Sequence, residues 1–169
     1  GNRSLKKLPV QGKTDLGEGA FYNCDALETV NLNDNITEIP DETFWVCSSL
    51  TTLKLPSKLE RIGSTAFLAS GLREIEFPDS VKEIGRSAFC STALKKVILP
   101  KSLTEISTEA FNSCGDLTSV YIPKSVTAIG KGAFLTVQGG ALNDIYYAGS
   151  KTDWDKIKVD ANGNEILKQ

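Results

Sequence analysis

Side chains that commonly perform catalysis or hold metals are scarce in this sequence, and those present are not spaced for either task. The 169-residue chain has no histidine, the commonest acid–base group and the commonest metal ligand. Its four cysteines lie at least 23 residues apart, whereas zinc sites favour short spacings such as Cys-x₂-Cys. Asp153, Asp155 and Asp160 lack the Asp-x-Asp-x-Asp-Gly spacing of a calcium loop. The sequence also singles out no Ser–Lys pair and no pair of carboxylates as a candidate catalytic arrangement. We therefore expect no enzymatic activity, no cofactor and no metal site.

Composition excludes further classes of function. The net charge of −2 provides no broad basic surface for nucleic acid. The sequence has no run of 18 or more apolar residues, so we expect no membrane insertion by this chain. Its length is sufficient for one domain with a sizeable core. It contains no methionine, and we expect a fragment of a longer protein.

A repeated phenylalanine indicates how the remaining side chains are positioned. Phenylalanine, preceded by Ala or once by Thr, occurs at positions 21, 44, 67, 89, 111 and 134. The steps are 23, 23, 22, 22 and 23 residues, and a period of this length is typical of solenoids. A unit this short cannot bury its own apolar side, but stacked units bury a continuous one.

Each unit predicts a strand, a second short extended segment and a turn. Leu-x-x-Val-x-Leu alternates apolar and polar residues at its end, as half-buried strands do. Proline then ends the strand at 56, 78, 100 and 123. A second extended segment follows, for example 81–84, and a 3₁₀ or short helical turn leads into Ala-Phe. Equivalent strands of successive units should pair in one parallel sheet, about 4.8 Å apart.

The two ends of the repeat array differ. Leu5, Leu8 and Val10 match the strand pattern, and Leu8 precedes Val30 by 22 residues, so we expect the chain to begin mid-array. The pattern stops after Tyr147. We therefore predict a solenoid of about six full repeats over residues 1–147 and a C-terminal cap over 148–169, in which Trp154 covers the last unit.

Three columns of equivalent residues are best interpreted as packing. The phenylalanine column should fill the core rather than form a ligand-stacking platform. Small side chains follow it at 24, 47, 70, 92 and 114, which favours buried free cysteines. A Cys24–Cys47 disulfide is the alternative, since neighbouring units place their Cα atoms within disulfide distance. Gly17, Gly63, Gly85 and Gly130 should permit close approach of neighbouring units rather than bind phosphate.

One surface column changes character along the array. Strand alternation places two columns outward: Thr29, Thr52, Glu74, Lys96, Ser119 and Asp144, then Asn31, Lys54, Glu76, Ile98, Tyr121 and Tyr146. The first column is polar throughout. The second becomes apolar and aromatic over three consecutive units, so Ile98, Tyr121 and Tyr146 should form one contiguous binding patch. The alternative is that aromatic residues there merely reflect strand propensity.

The complete unit, Leu-x-x-Val-x-Leu-Pro-x-Ser-Val-x-x-Ile-Gly-x-x-Ala-Phe-x-x-Cys, resembles the BspA-like leucine-rich repeats, which are also known from Treponema surface proteins. The resemblance covers residues 5–147, with Pro40 and Ser107 replacing the glycine. It implies a leucine-rich repeat solenoid with a curved parallel β-sheet on its concave side, on a secreted or surface-anchored bacterial protein involved in adhesion. It carries over no catalytic residues.

Two hypotheses about function remain open from the sequence. The first is an extracellular adhesion module that presents the concave sheet to a host or cell-surface protein or glycan, or to a neighbouring copy of the same chain. The second is a structural spacer whose repeats have no ligand of their own.

Overall fold

The chain folds as a parallel-strand solenoid in which each 22- or 23-residue unit makes one turn. The structure is a computed structural model that describes residues 2–9, 15–136 and 140–168. The main sheet is built from β1 (Lys7–Pro9), β2 (Thr29–Asn31), β6 (Lys96–Ile98), β8 (Ser119–Ile122) and β10 (Asp144–Tyr147). The outer sheet has two separate parts. In the first, β3 (Glu38–Ile39), β4 (Arg61–Ile62) and β5 (Glu83–Ile84) pair with one another; in the second, β7 (Glu105–Ile106), β9 (Ala128–Ile129) and β11 (Lys158–Val159) do so. This confirms the predicted leucine-rich repeat solenoid.

Strand register follows the sequence repeat. In the main sheet β6, β8 and β10 pair in parallel, which aligns Val97 with Val120 and Val120 with Ile145. At the other end β1 pairs with β2, and Leu8 aligns with Val30 as the 22-residue spacing predicts. Val10 lies outside the described residues. The inward residues Val97 and Val120 are fully buried, which fixes the face that the alternate residues present to solvent.

The main sheet is not continuous, which corrects the prediction that every unit pairs with the next. Neither segment 52–55 nor segment 74–77 forms a strand, although β3, β4 and β5 remain paired on the outer side of the same units. The units therefore diverge on the main-sheet side. Phe77 occupies a position held by Leu in three other units, and its ring packs edge-on against Phe89 at a centroid distance of 5.5 Å. The Phe77 side chain is larger than the leucine of those units, and it lies where the strand pairing of the main sheet is lost.

In the turns around each phenylalanine, backbone amides alternate between hydrogen bonds to the next unit and hydrogen bonds within the same turn. The amides of Phe44 and Val46 donate to the next unit, at Ala66 O (2.7 Å) and Leu68 O (2.9 Å). The amide of Trp45 donates locally to Glu42 O (3.2 Å), as in a 3₁₀ turn. Left-handed residues lie two positions before and after the phenylalanine, as at Glu42 (φ 59°) and Val46 (φ 58°). Because left-handed residues interrupt a right-handed helix, the predicted helical segment is a series of turns.

Stacked phenylalanine rings form the centre of the core. Neighbouring rings from Phe21 to Phe134 lie nearly parallel, with centroids 5.1–5.7 Å apart. All are buried except Phe21, at the N-terminal end of the stack, which is half-buried. Between the stack and the outer sheet the backbones approach closely. A Cβ atom added at Gly85 would lie 2.5 Å from Ser64 N, and Gly85 has no positive φ, so this glycine serves close approach as predicted. The prediction is wrong at Gly17, where an added Cβ would meet no described atom within 4 Å.

The segment after Tyr147 packs against the last units through both sheets. It contains helix α1 (Lys151–Trp154), which Ser150 caps through a hydrogen bond accepted from the Asp153 amide, and a 3₁₀ helix, Glu165–Lys168. Strand β11 adds to the outer sheet, aligned with β9. The fully buried Asn164 donates to Gly130 O and Asp160 O, each at 2.8 Å. The boundary at residue 147 remains a prediction. Both helices in the described part of the chain have four residues, too few to cross a membrane.

Candidate binding surface on the main sheet

The outward face of the main sheet carries the two predicted columns. In the first, every member is exposed except the half-buried Ser119. In the second, every member is exposed except the half-buried Tyr121. All six residues in the first column are Thr, Ser, Glu, Lys or Asp, so this column is a polar, solvated surface. The second column contains the only apolar and aromatic side chains of the two.

Ile98, Tyr121 and Tyr146, hereafter the patch, lie directly beside one another. The strand registers align Ile98 with Tyr121 and Tyr121 with Tyr146. The two tyrosine rings stack with centroids 4.5 Å apart and an interplanar angle of 16°. Ile98 is 55% exposed and Tyr146 is 47% exposed. The structure therefore brings together the three residues that the sequence singled out.

A cation covers the Tyr121 ring on the side of β6. Lys96 Nζ lies 4.7 Å from the centroid of the Tyr121 ring, within the range of a cation–π interaction. Because β8 lies between β6 and β10, Lys96 and Tyr146 contact Tyr121 from opposite sides. The sequence did not reveal this ordered arrangement of Lys96, Tyr121 and Tyr146, since Lys96 belongs to the other outward column.

An apolar groove runs beside the patch. It encloses about 350 Å³ and is lined by the three patch residues together with Leu99, Lys101, Ile122, Pro123, Tyr147 and Ala148. Most of these side chains are apolar, so the groove could bury an apolar side chain of a partner. Lys101, at its rim, pairs with Asp79 at 2.8 Å.

A negative charge next to the patch affects the pKa of Tyr146. Asp144 lies two residues earlier on β10, so its side chain shares the outward face of the sheet with Tyr146. The Asp144 carboxylate, followed by the neighbouring Tyr121, raises the pKa of Tyr146 above its ordinary value.

A second concavity was missed by sequence reasoning. Where the middle units diverge, a cleft of about 550 Å³ opens between segments 52–55 and 74–77. Its lining includes the charged Lys54, Glu74 and Glu76 and the half-buried Phe77. The sequence signal that could have indicated this cleft was Phe77, an aromatic residue at a position where both neighbouring units have leucine.

The cysteines are placed for packing. All four are free thiols, and only Cys90 is not buried. Cys47 Sγ donates to Phe21 O at 3.1 Å, and Cys114 Sγ donates to Phe89 O at 3.2 Å. Burial raises the pKa of Cys47 to about 12 and that of Cys114 to about 11, so neither thiol is an activated nucleophile. In the described residues, no group of three or more Cys, Asp or Glu side chains could hold a metal ion.

Comparison with known sequences identifies the repeat. A family model described as a BspA-type leucine-rich repeat region matches residues 11–140 in six copies. No curated protein sequence matches the chain.

Solved structures with the same architecture come from bacterial leucine-rich repeat proteins. A leucine-rich repeat protein from T. pallidum is 30% identical with a TM-score of 0.70, over 83% of this chain and 62% of that one. A leucine-rich repeat protein from Bacteroides ovatus is 22% identical with a TM-score of 0.65, over 93% of this chain and 51% of that one. This chain therefore spans between half and two thirds of the length of these two proteins.

Proposed function

Because the chain belongs to the BspA-type leucine-rich repeat family, we propose that it is an extracellular interaction module whose main sheet binds a protein or glycan through the patch. Family membership supports a protein-interaction role in general, since leucine-rich repeat proteins are typically binding scaffolds and not enzymes. Adhesion to a host or cell-surface partner is the specific form of that role that we propose. The location that suits it is the cell surface or the extracellular medium.

The observation that carries the proposal is the contrast within one outward column. Asn31, Lys54 and Glu76 are polar, whereas Ile98, Tyr121 and Tyr146 are apolar or aromatic. A large apolar side chain that is half exposed is costly to leave in water, and its burial by a partner would stabilise a complex. Tyrosine suits this purpose, because it buries a large area with little loss of conformational freedom and retains a polar group.

The competing hypothesis is a structural spacer. A spacer should present a uniform polar surface, since its repeats only separate other parts of a longer protein. The first outward column and the N-terminal half of the second fit that description. The patch and its groove depart from that description. A cross-strand aromatic pair such as Tyr121–Tyr146 would also stabilise the sheet of a spacer, so the binding comparison below must separate the two hypotheses.

A binding comparison tests the proposal. The chain is screened against host extracellular proteins and glycans, and captured partners are titrated with the wild-type chain and with the double variant Tyr121→Ser, Tyr146→Ser. We expect the double variant to bind at least about tenfold more weakly, because truncation of a binding hot spot, a class of residue enriched in tyrosine, costs about 2 kcal/mol or more. Its melting temperature should stay within a few degrees of the wild type, since the patch faces solvent.

The matched control is the double variant Asn31→Ser, Lys54→Ser, in the polar half of the same column. It should bind as the wild type does. Equal binding by all three proteins would reject the patch as the site. A loss confined to the control would move the site to the cleft that Lys54 lines. Failure to capture any partner reproducibly would favour the spacer hypothesis.

A further inference from the structure

We propose that the free face of the Tyr146 ring and the Asp144 carboxylate together bind a cationic side chain, specifically an arginine guanidinium of a protein partner. This inference rests on the proposed function and makes it more specific, because it assigns a chemistry to one end of the patch. It also favours a protein over a glycan as the partner.

The first step is the order of groups along the stack. Strand β8 lies between β6 and β10, so the sequence of groups across the sheet is Lys96, then Tyr121, then Tyr146. Lys96 covers one face of Tyr121 at 4.7 Å, and Tyr146 covers the other at 4.5 Å. Tyr121 is consequently half-buried, with both of its faces occupied.

The second step is the condition of the Tyr146 ring. Tyr121 covers only one of its faces, and within the described residues no strand of the main sheet pairs with the other side of β10. Tyr146 is 47% exposed although one face of its ring is stacked, so we infer that its solvent-accessible part includes the opposite face. An open aromatic face therefore ends the stack.

The third step is the charge beside that face. Asp144 precedes Tyr146 by two residues on β10, and the two side chains emerge on the same face about 7 Å apart along the strand. Asp144 is exposed and makes no ion pair with any described residue. As expected of a negative charge at this distance, the Asp144 carboxylate raises the pKa of Tyr146.

These features select a cation with a flat shape. The face of an aromatic ring carries partial negative charge, and Lys96 shows that a cation already occupies the other end of this stack. A sugar ring could also stack on Tyr146, but it would gain little from the carboxylate. A guanidinium can stack on the ring and pair with Asp144 at the same time, because it is planar and presents several N–H donors at its edge.

The experiment compares two small probes that differ in charge but hardly in shape. The 169-residue chain, labelled with ¹³C in its tyrosine rings, is titrated in an NMR experiment with Nα-acetyl-arginine methylamide and separately with Nα-acetyl-citrulline methylamide. We expect the arginine probe to shift the Tyr146 ring signals in a saturable way and to bind about threefold or more tightly than the citrulline probe. The Tyr121 signals should respond less, because both faces of that ring are covered.

Two variants separate the contributions. Asp144→Asn should lower the affinity for the arginine probe and reduce its preference over the citrulline probe, because only the cation–π contact then favours arginine. The matched variant Asp116→Asn, at an exposed carboxylate in a turn, should change neither affinity. Tyr146→Phe should retain the preference for arginine, and Tyr146→Leu should abolish it. Higher ionic strength should weaken binding of the arginine probe only.

Tyr22, a 40% exposed tyrosine in the turn after Phe21, serves as an internal reference. Equal responses to the two probes, no response at Tyr146, or equal shifts at Tyr22 and Tyr146 would overturn the inference. A protein partner that loses affinity for the Tyr121→Ser, Tyr146→Ser variant, while the two probes bind alike, would support the interaction module and reject the cation site. Discrimination between the probes without any loss of partner binding in that variant would reject the proposed function instead.

Discussion

The Phe67 ring lies parallel to the Phe89 ring, with centroids 5.1 Å apart and an interplanar angle of 11°. The two residues are 22 positions apart, so one turn of the solenoid brings equivalent side chains into direct contact. Both are fully buried. Each unit therefore supplies the packing surface for the next, which is how units too short to fold alone form one core.

Replacement of Phe67 by alanine should lower the free energy of unfolding by about 3–5 kcal/mol. The change leaves a cavity between the rings of Phe44 and Phe89, which pack on either side of Phe67. Denaturant unfolding measures the effect. The control is Glu76→Ala, an exposed position that should change stability by less than about 0.5 kcal/mol. Equal losses in the two variants would contradict the stacked-unit core.

Replacement of Gly85 by alanine should destabilise the fold by about 1–3 kcal/mol, because the added Cβ would lie 2.5 Å from Ser64 N and 2.6 Å from Gly63 C. Both contacts are with backbone, so neighbouring units would have to separate. Gly115 is the matched control, since a Cβ there has no neighbour within 4 Å. Gly115→Ala should be neutral or stabilise by up to about 1 kcal/mol. Thermal unfolding of both variants measures the difference, and a stable Gly85→Ala variant would reject close approach as the role of this column.

Alkylation at pH 8 without reductant should modify Cys90 first in the folded protein. Cys47 and Cys114 are buried, and their pKa values of about 12 and about 11 leave very little reactive thiolate at that pH. In denaturant all four cysteines should react. Intact-mass spectrometry counts the modified sites. Only two modified cysteines in the denatured, unreduced protein would indicate the alternative Cys24–Cys47 disulfide.

Amide hydrogen exchange should be faster in residues 5–9 than in residues 143–147. Strand β1 pairs with β2 on one side and has no partner on the other among the described residues, so it should fray. Strand β10 lies against β8, and the Trp154 ring packs edge-on against Tyr147 at 5.3 Å. The comparison is made within one sample, with the central strand β8 as the slow reference. The opposite order of exchange rates would reject Trp154 as a cover of the last unit.

The sequence alone was sufficient to predict the unit, the register and the inward and outward columns. A side chain such as Val120 is placed by its position within the repeat, because strand alternation and the 22- or 23-residue period act locally and identically in every unit. The same pattern predicts that Ile98, Tyr121 and Tyr146 lie side by side, and the strand registers agree.

The ways in which neighbouring units differ from the average repeat are decided only by the tertiary structure. The alternating hydrogen bonds around Phe44 need left-handed residues such as Val46, which residue preferences do not predict, and it is the partner carbonyls of the next unit that hold them. The break in the main sheet near Phe77, the position of Lys96 over Tyr121 and the open face of Tyr146 likewise depend on distances between separate units. Such distances are set by the combined packing of many side chains from several units. The residue pattern within one unit therefore does not predict them.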